Sequence, residues 1–153
     1  MRNKGFTLIE ILIAVAIMAI LTAIFVPNFL GIRARARDTR RKADLNELQK
    51  AIELFRLDQN PPVYPDTGIL DPSLCNQCWS QGADCTGNIY MKKVPCDPGT
   101  LDAVPYIYYL DAGDNLKYTL SACLENTEDP DKDSVSITEC SDIGRESYTL
   151  TEP

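Results

Sequence analysis

From residue 6 to residue 30 the chain is apolar at nearly every position, and Glu10 is the only charge in the run. Apolar residues fall on every side of a 3.6-residue repeat there, so the pattern predicts a helix apolar all round rather than a one-sided surface helix. Over residues 6–26 such a helix is roughly 31 Å long, enough to cross a bilayer core. Pro27 lacks an N–H and Gly31 adds slack, which predicts a kink or melted turn between Ala23 and Gly31. From Asp44 the pattern becomes one-sided. Leu45, Leu48, Ala51, Ile52 and Phe55 recur at three- and four-residue spacing, a stripe for a core to pack against. Asn60-Pro61-Pro62 stops the helix.

Beyond the helix the repeat changes. Residues 60–103 are rich in Pro, Gly, Asp and Cys without periodicity and read as a long loop pinned by cross-links. Residues 104–110 and 116–124 are rich in Tyr, Ile, Val and Leu, with a turn over Asp111-Ala112-Gly113-Asp114-Asn115 between them, and predict a β-hairpin. Residues 135–138 and 147–151 are candidate third and fourth strands. The fold class is α+β: a long N-terminal helix packed against a small antiparallel sheet. The chain divides into a leader (1–5), an apolar helix (6–30), its amphipathic continuation (31–58) and a cysteine-rich head (59–153).

A carboxylate is costly in an apolar segment, so Glu10 needs a reason. An ordinary secretory signal has a shorter apolar region and a small-residue cleavage site, which this run lacks. A plain membrane anchor fits the length but leaves Glu10 without a role. The run Lys4-Gly5-Phe6-Thr7-Leu8-Ile9-Glu10, continued by Val26-Pro27-Asn28-Phe29-Leu30, resembles the processing site and helix of type IV prepilins and pseudopilins. The resemblance implies cleavage after Gly5 by a prepilin peptidase, methylation of the new N-terminus at Phe6, insertion in the cytoplasmic (inner) membrane, and polymerisation through the apolar helix. It also implies local melting near Pro27 in assembled filaments. Once cut, the Phe6 amine is a cation in apolar surroundings, and Glu10 lies one turn further along the same face. A buried charge requires an opposite one. Glu10 can meet the amine of its own chain or of a neighbour, and the resemblance implies the neighbour. Residues 90–98, Tyr-Met-Lys-Lys-Val-Pro-Cys-Asp-Pro, are similar to a segment of the major pseudopilins of type II secretion, with Gly99 where those carry Trp.

Charge is divided unevenly along the chain. Residues 1–58 carry a net +4 and residues 59–153 a net −11, giving −7 overall. An acidic head argues against direct nucleic-acid binding. Six cysteines, Cys75, Cys78, Cys85, Cys96, Cys123 and Cys140, all fall in the head and read as a disulfide framework outside the cytoplasm. A four-thiolate zinc site fits by count, but the Cys85–Cys96 spacing is not that of a knuckle pair. The pairing expected is Cys123–Cys140, with two bonds among the other four. Arg33, Arg35, Arg37, Arg40, Arg41 and Lys42 outnumber the basic residues before the apolar run, so the positive-inside rule opposes this orientation. The leader and the cysteines outweigh it. The six read as a solvated face or as contacts to acidic heads of neighbouring copies.

Asp129, Asp131 and Asp133 alternate like the start of a calcium loop, but Ser134 and Cys140 stand where an EF-hand has Gly and Glu. Calcium is one reading and a solvated acidic loop the other. With no histidine, P-loop or nucleophile-elbow motif, catalysis has no support. The function expected is a structural subunit of a pilus or pilus-like filament. Its partners would be other copies of itself, the prepilin peptidase, the membrane-embedded assembly machinery and, before assembly, lipid. The same-class alternative is the major pseudopilin of a type II secretion system. An alternative of another class is a membrane-anchored, disulfide-stapled binding domain that does not polymerise.

Overall fold

A computed structural model describes residues 6–66, 72–99 and 106–153, with the side chains of all these except 24–30, 72 and 83. Helix α1 runs over Leu8–Asp58. Two compact units divide the chain, Met1–Ala34 and Arg35–Pro153.

In the first unit the backbone is helical from Leu8 onward, and its apolar side chains are exposed on every face, from Phe6 and Leu8 through Ile20 and Leu21. The expected melted turn is absent: the helix assignment continues through Pro27 and Gly31. A proline removes one hydrogen bond, whereas propagation from turns already formed on both sides favours continuing the helix. Over the described residues, no helix is long and apolar enough to cross a membrane. Gly5 lies outside them.

The second unit is built on the continuation of α1. Leu45, Leu48, Ala51 and Ile52 are buried, and Phe55 packs against them from the margin. The helix ends at Asp58, just before the proline pair. Three strands, β3 (Ile107–Leu110), β4 (Tyr118–Leu124) and β5 (Glu146–Thr151), form an antiparallel sheet in the order β3-β4-β5. The β3–β4 hairpin pairs Tyr108 with Leu120, and β4 pairs Ala122 with Tyr148 on β5. Tyr118, Leu120 and Ala122, two residues apart on central strand β4, enter the core that contains the helix stripe. On the alternate positions Ser121 bonds Thr149 at 2.7 Å and Cys123 is bridged to Cys140.

Two sequence expectations change. Residues 135–138 are not a strand. Ile137 precedes the short helix α2 (Thr138–Ser141), whose Cys140 is tied to Cys123. The segment is fastened to β5 mostly by side chains, with one backbone bond from the Asp133 N–H to Ser147 O at 2.8 Å: Ser136 bonds Glu146, and Asp133 bonds Ser147 and Thr149. Within the loop after α1, a two-stranded ribbon appears, β1 (Trp79–Ser80) and β2 (Ile89–Met91). Its aromatics anchor it. Phe55 lies 5.7 Å from the Trp79 ring and 5.3 Å from Tyr90, contacts that bury large apolar surfaces.

All six cysteines are paired, Cys75–Cys96, Cys78–Cys85 and Cys123–Cys140. The first two close the long loop, and the third closes the acidic segment onto β4.

Candidate functional site

At the start of α1, Thr7 and Glu10 form a reciprocal cap. The Glu10 N–H donates to Thr7 Oγ1 at 3.4 Å, and the Thr7 N–H donates to Glu10 Oε2 at 2.8 Å. The Thr7 hydroxyl also donates to Oε2, at 2.8 Å. Thr-x-x-Glu at N-cap and N3 is a capping box, which satisfies donors that the first helical turn leaves open. The helix therefore begins within a few residues of Gly5, and its carboxylate is oriented before any neighbour is present. In the uncut chain Phe6 is in peptide linkage and carries no amine charge, so Glu10 engages Thr7. Phe6 itself is 85% exposed. Pro27 lies within the continuous helix.

Eleven large apolar side chains between Phe6 and Leu21 are exposed. Burying each fully is worth about 1.5–3 kcal/mol, so together they carry on the order of 20 kcal/mol of unrealised burial before the cost of association. A patch of this kind marks a surface meant for lipid or for protein.

The second unit carries the charged cluster. Arg41 has no accessible surface. Its guanidinium donates through Nε and Nη2 to Asp97, both at 2.8 Å, and through Nη1 to Asp38 at 2.7 Å. Glu125 lies 2.9 Å from Nη2 and also takes a bidentate grip from Arg37. Asp38 further accepts the backbone N–H of Glu125 at 2.9 Å and of Asn126 at 2.8 Å. One buried cation thus gathers α1, the loop at Asp97 and the end of β4. Burial works against the Arg41 charge, yet its bonds to Asp97, Asp38 and Glu125 outweigh that and raise its pKa. The Arg37 bond, then Arg41, holds the Glu125 carboxyl down at about 2.

Gly99 completes this arrangement. Its N–H donates to Asp97 Oδ1 at 2.6 Å, and a Cβ there would stand 2.6 Å from that oxygen and 3.2 Å from Arg41 Nη2. The backbone approaches too closely for a side chain, which accounts for glycine at this position.

Tyrosine hydroxyls bind the carboxylates of α1. Tyr106 donates to Asp44 at 2.6 Å, Tyr64 to Glu53 at 2.6 Å and Tyr90 to Asp58 at 2.7 Å. Burial, then these carboxylates, pushes Tyr64 and Tyr90 up to about 12 and Tyr106 higher. Burial also raises Asp44.

The basic block is therefore divided. Arg37, Arg41 and Lys42 are engaged within the chain, Arg40 is exposed but lies 3.9 Å from Asp44, and Arg35 is exposed. Lys42 Nζ contacts Asp129 and lies 2.7 Å from Asp131, above the Tyr148 ring. Asp133 turns instead to Ser147 and Thr149. Of the three aspartates expected as alternating calcium ligands, Asp129 and Asp131 thus share Lys42 while Asp133 bonds β5. Among the described residues no group of three or more His, Cys, Asp or Glu side chains is placed to hold a metal ion. The cysteines are bridged in pairs, which leaves no thiolate for zinc.

Residues 1–26 match the family model for the prokaryotic N-terminal methylation motif. The chain is 31% identical over 114 residues to the type II secretion system core protein G of Vibrio cholerae, covering 74% of each. It belongs to the type IV pilin and type II secretion pseudopilin family. Another family member, the type IV wide pilus major component PilA4 of Thermus thermophilus, is 54% identical over 61 residues. That match covers 39% of this chain, which spans about half (47%) of the pilin's length. The core protein G of Klebsiella pneumoniae is 35% identical over 97 residues, covering 63% of this chain and 69% of that one. No solved structure matches. Family membership gives the capping box a context: it lies within the matched methylation motif.

Proposed function

We propose that this chain is a structural subunit of a type IV pilus or pilus-like filament. In this reading it is anchored in the cytoplasmic membrane with its head outside, processed after Gly5, and polymerised through its N-terminal helix into a filament at the cell surface or across the periplasm. The observation that carries the reading is the run of exposed apolar side chains, from Phe6 to Leu21, that opens on the Thr7–Glu10 cap. A surface apolar on all sides is stable only in lipid or in a helical bundle, and it meets these two solvents in succession. The partners are the prepilin peptidase, lipid, the membrane assembly machinery and other copies of the chain. Relatives of both branches support the reading, and the longer alignments to core protein G favour a role close to that of a major pseudopilin. No catalytic step and no resident cofactor enter it.

The three disulfides support a head in an oxidising compartment. Arg37, Arg41 and Lys42 are neutralised by head carboxylates, so they act less as a cytoplasmic retention signal than their number suggests.

The test is co-expression of the full chain with and without a prepilin peptidase, followed by mass spectrometry of the N-terminus. The expected product begins at Phe6 and carries one added methyl group. An uncut chain, or a cut elsewhere, defeats the reading. A Glu10→Val variant should be cleaved and stable but absent from filaments, because it retains the apolar surface and loses the charge that meets the Phe6 amine. Wild-type filament yield would remove that role from Glu10.

A further inference from the structure

The three bridges of the head differ in burial. Cys123 and Cys140 are 2% and 0% exposed. Cys75, Cys96 and Cys78 are half-buried, whereas Cys85, the partner of Cys78, is exposed. The loops they close differ too. The sequence separation is 21 residues for Cys75–Cys96, 17 for Cys123–Cys140 and 7 for Cys78–Cys85. The stabilisation a cross-link gives by constraining the unfolded chain grows with the loop it closes, so the shortest loop contributes least to the fold.

The backbone at Cys78–Cys85 is also held in an unfavourable conformation. Asp84 and Cys85 stand consecutively in the left-handed region, with φ of 56° and 61°. Aspartate is tolerated there, and for cysteine the region is strained. Opening the bridge lets this backbone relax, and strained or exposed disulfides are the ones most readily reduced.

The bridge fastens the tip of the β1–β2 ribbon. Cys78 directly precedes Trp79 of β1, and Cys85 lies in the connection to β2. Trp79, the sole tryptophan of the chain, is 7% exposed and packs between Phe55 and Tyr90, whose ring lies 5.3 Å away. Strands of two and three residues supply little pairing of their own. The base of the ribbon is secured separately, by Cys75–Cys96 and by the Val94 N–H, which donates to Gln77 O at 2.8 Å.

We propose that Cys78–Cys85 is a site of thiol–disulfide exchange with an external dithiol, and that opening it releases Trp79 from Phe55 while the rest of the head stays folded. One thiolate of the dithiol attacks the exposed Cys85 sulfur, forms a mixed disulfide and expels the Cys78 thiolate. The second thiolate of the dithiol then attacks its own partner sulfur in the mixed disulfide and expels the Cys85 thiolate. Two electrons pass to the bridge, and the dithiol leaves as a disulfide. The two protons it gives up are matched by those the cysteine thiolates take up. Neither step requires filament assembly.

In the test, the full chain in detergent is equilibrated with mixtures of reduced and oxidised dithiothreitol, trapped with N-ethylmaleimide and mapped by mass spectrometry. Trp79 emission is followed in the same samples. Cys78 and Cys85 should be alkylated at a ratio of reduced to oxidised dithiol about tenfold lower than the other four cysteines require. Over that range Trp79 emission should move to longer wavelength with the far-ultraviolet circular dichroism unchanged. The double variant Cys78→Ser, Cys85→Ser should show the shifted emission without any dithiol. Reduction of Cys75–Cys96 or Cys123–Cys140 first, or of all three bridges together, overturns the exchange site. An open Cys78–Cys85 bridge with Trp79 emission unmoved, or a double variant with wild-type emission, overturns the release of the ribbon.

Discussion

Replacing Arg41 with methionine tests whether the head is organised around a buried charge. The substitution keeps an unbranched apolar stem and removes the guanidinium. Asp38 retains two backbone donors, from Glu125 and Asn126, and Glu125 retains Arg37. Among the described residues Asp97 keeps the Gly99 N–H alone, while its side chain stays 4% exposed. Breaking a buried ion pair from one side costs about 3–5 kcal/mol because it leaves an uncompensated charge. With two of the three carboxylates still bonded, the loss should lie at the lower end, about 3–4 kcal/mol. At about 4 °C per kcal/mol for a unit of this size, the melting temperature falls by roughly 12–16 °C. Circular dichroism melts of the full chain in detergent, disulfides intact, read this directly. Adding Asp97→Asn removes the orphaned carboxylate and should restore about 1–2 kcal/mol, a non-additivity proper to residues in contact. A drop below about 4 °C, or simple additivity of the two substitutions, would refute the buried-charge account.

Glu125 sets an acid limit. Its carboxyl is lowered from 4.5 to about 2, so its contribution is complete above about pH 4.5 and is lost as the pH falls toward 2. The shift corresponds to ~3 kcal/mol, reduced to about 2 by solvent screening. Melting temperature should therefore fall between pH 5 and pH 2, and less steeply in Glu125→Gln; a flat wild-type profile contradicts this. Gly99→Ala should destabilise by ~1–2 kcal/mol by pushing a Cβ into Asp97, and by less when Arg41→Met is already present. Equal losses in both backgrounds would separate Gly99 from the cluster. Removing Cys123–Cys140 by paired serine substitution opens a connection of 17 residues and should cost ~3 kcal/mol in chemical denaturation, with an unchanged midpoint as the contrary result.

What the sequence made legible follows from which interactions are periodic. Leu45, Leu48, Ile52 and Phe55 announce the helix face by spacing alone, and the β3–β4 hairpin by alternation around a turn. The same spacing reaches further back than apolar residues suggest: Asp38 and Arg41 continue the series 38, 41, 45, 48, 52, 55 into the buried face. Hydrophobicity hides them, since a charge looks solvated until its partners are known, and those partners, Asp97 and Glu125, are distant in sequence. The Thr7–Glu10 cap is legible as Thr-x-x-Glu before an apolar run, on the same carboxylate whose apolar setting calls for a cation. The ribbon β1–β2 was not readable. Two- and three-residue strands have no period, and tertiary contact with Phe55 holds them.

The two units solve opposite problems with the same residue types. In the head, most charges nearest the helix are answered from within the chain, Arg41 by Asp97 and Asp38, Lys42 by Asp129 and Asp131, so folding needs no partner to neutralise them. In the first unit the apolar surface is left open, and among the described residues Glu10 is held by Thr7. Both Thr7 donors use the same oxygen, Oε2. A carboxylate has about four lone-pair sites on its two oxygens, so the cap and a salt bridge to an amine are compatible on one side chain. Cleavage therefore need not break the cap for Glu10 to take up the new charge. In the proposed filament the helix start is in place first, and the ion pair is added to it when a second chain arrives.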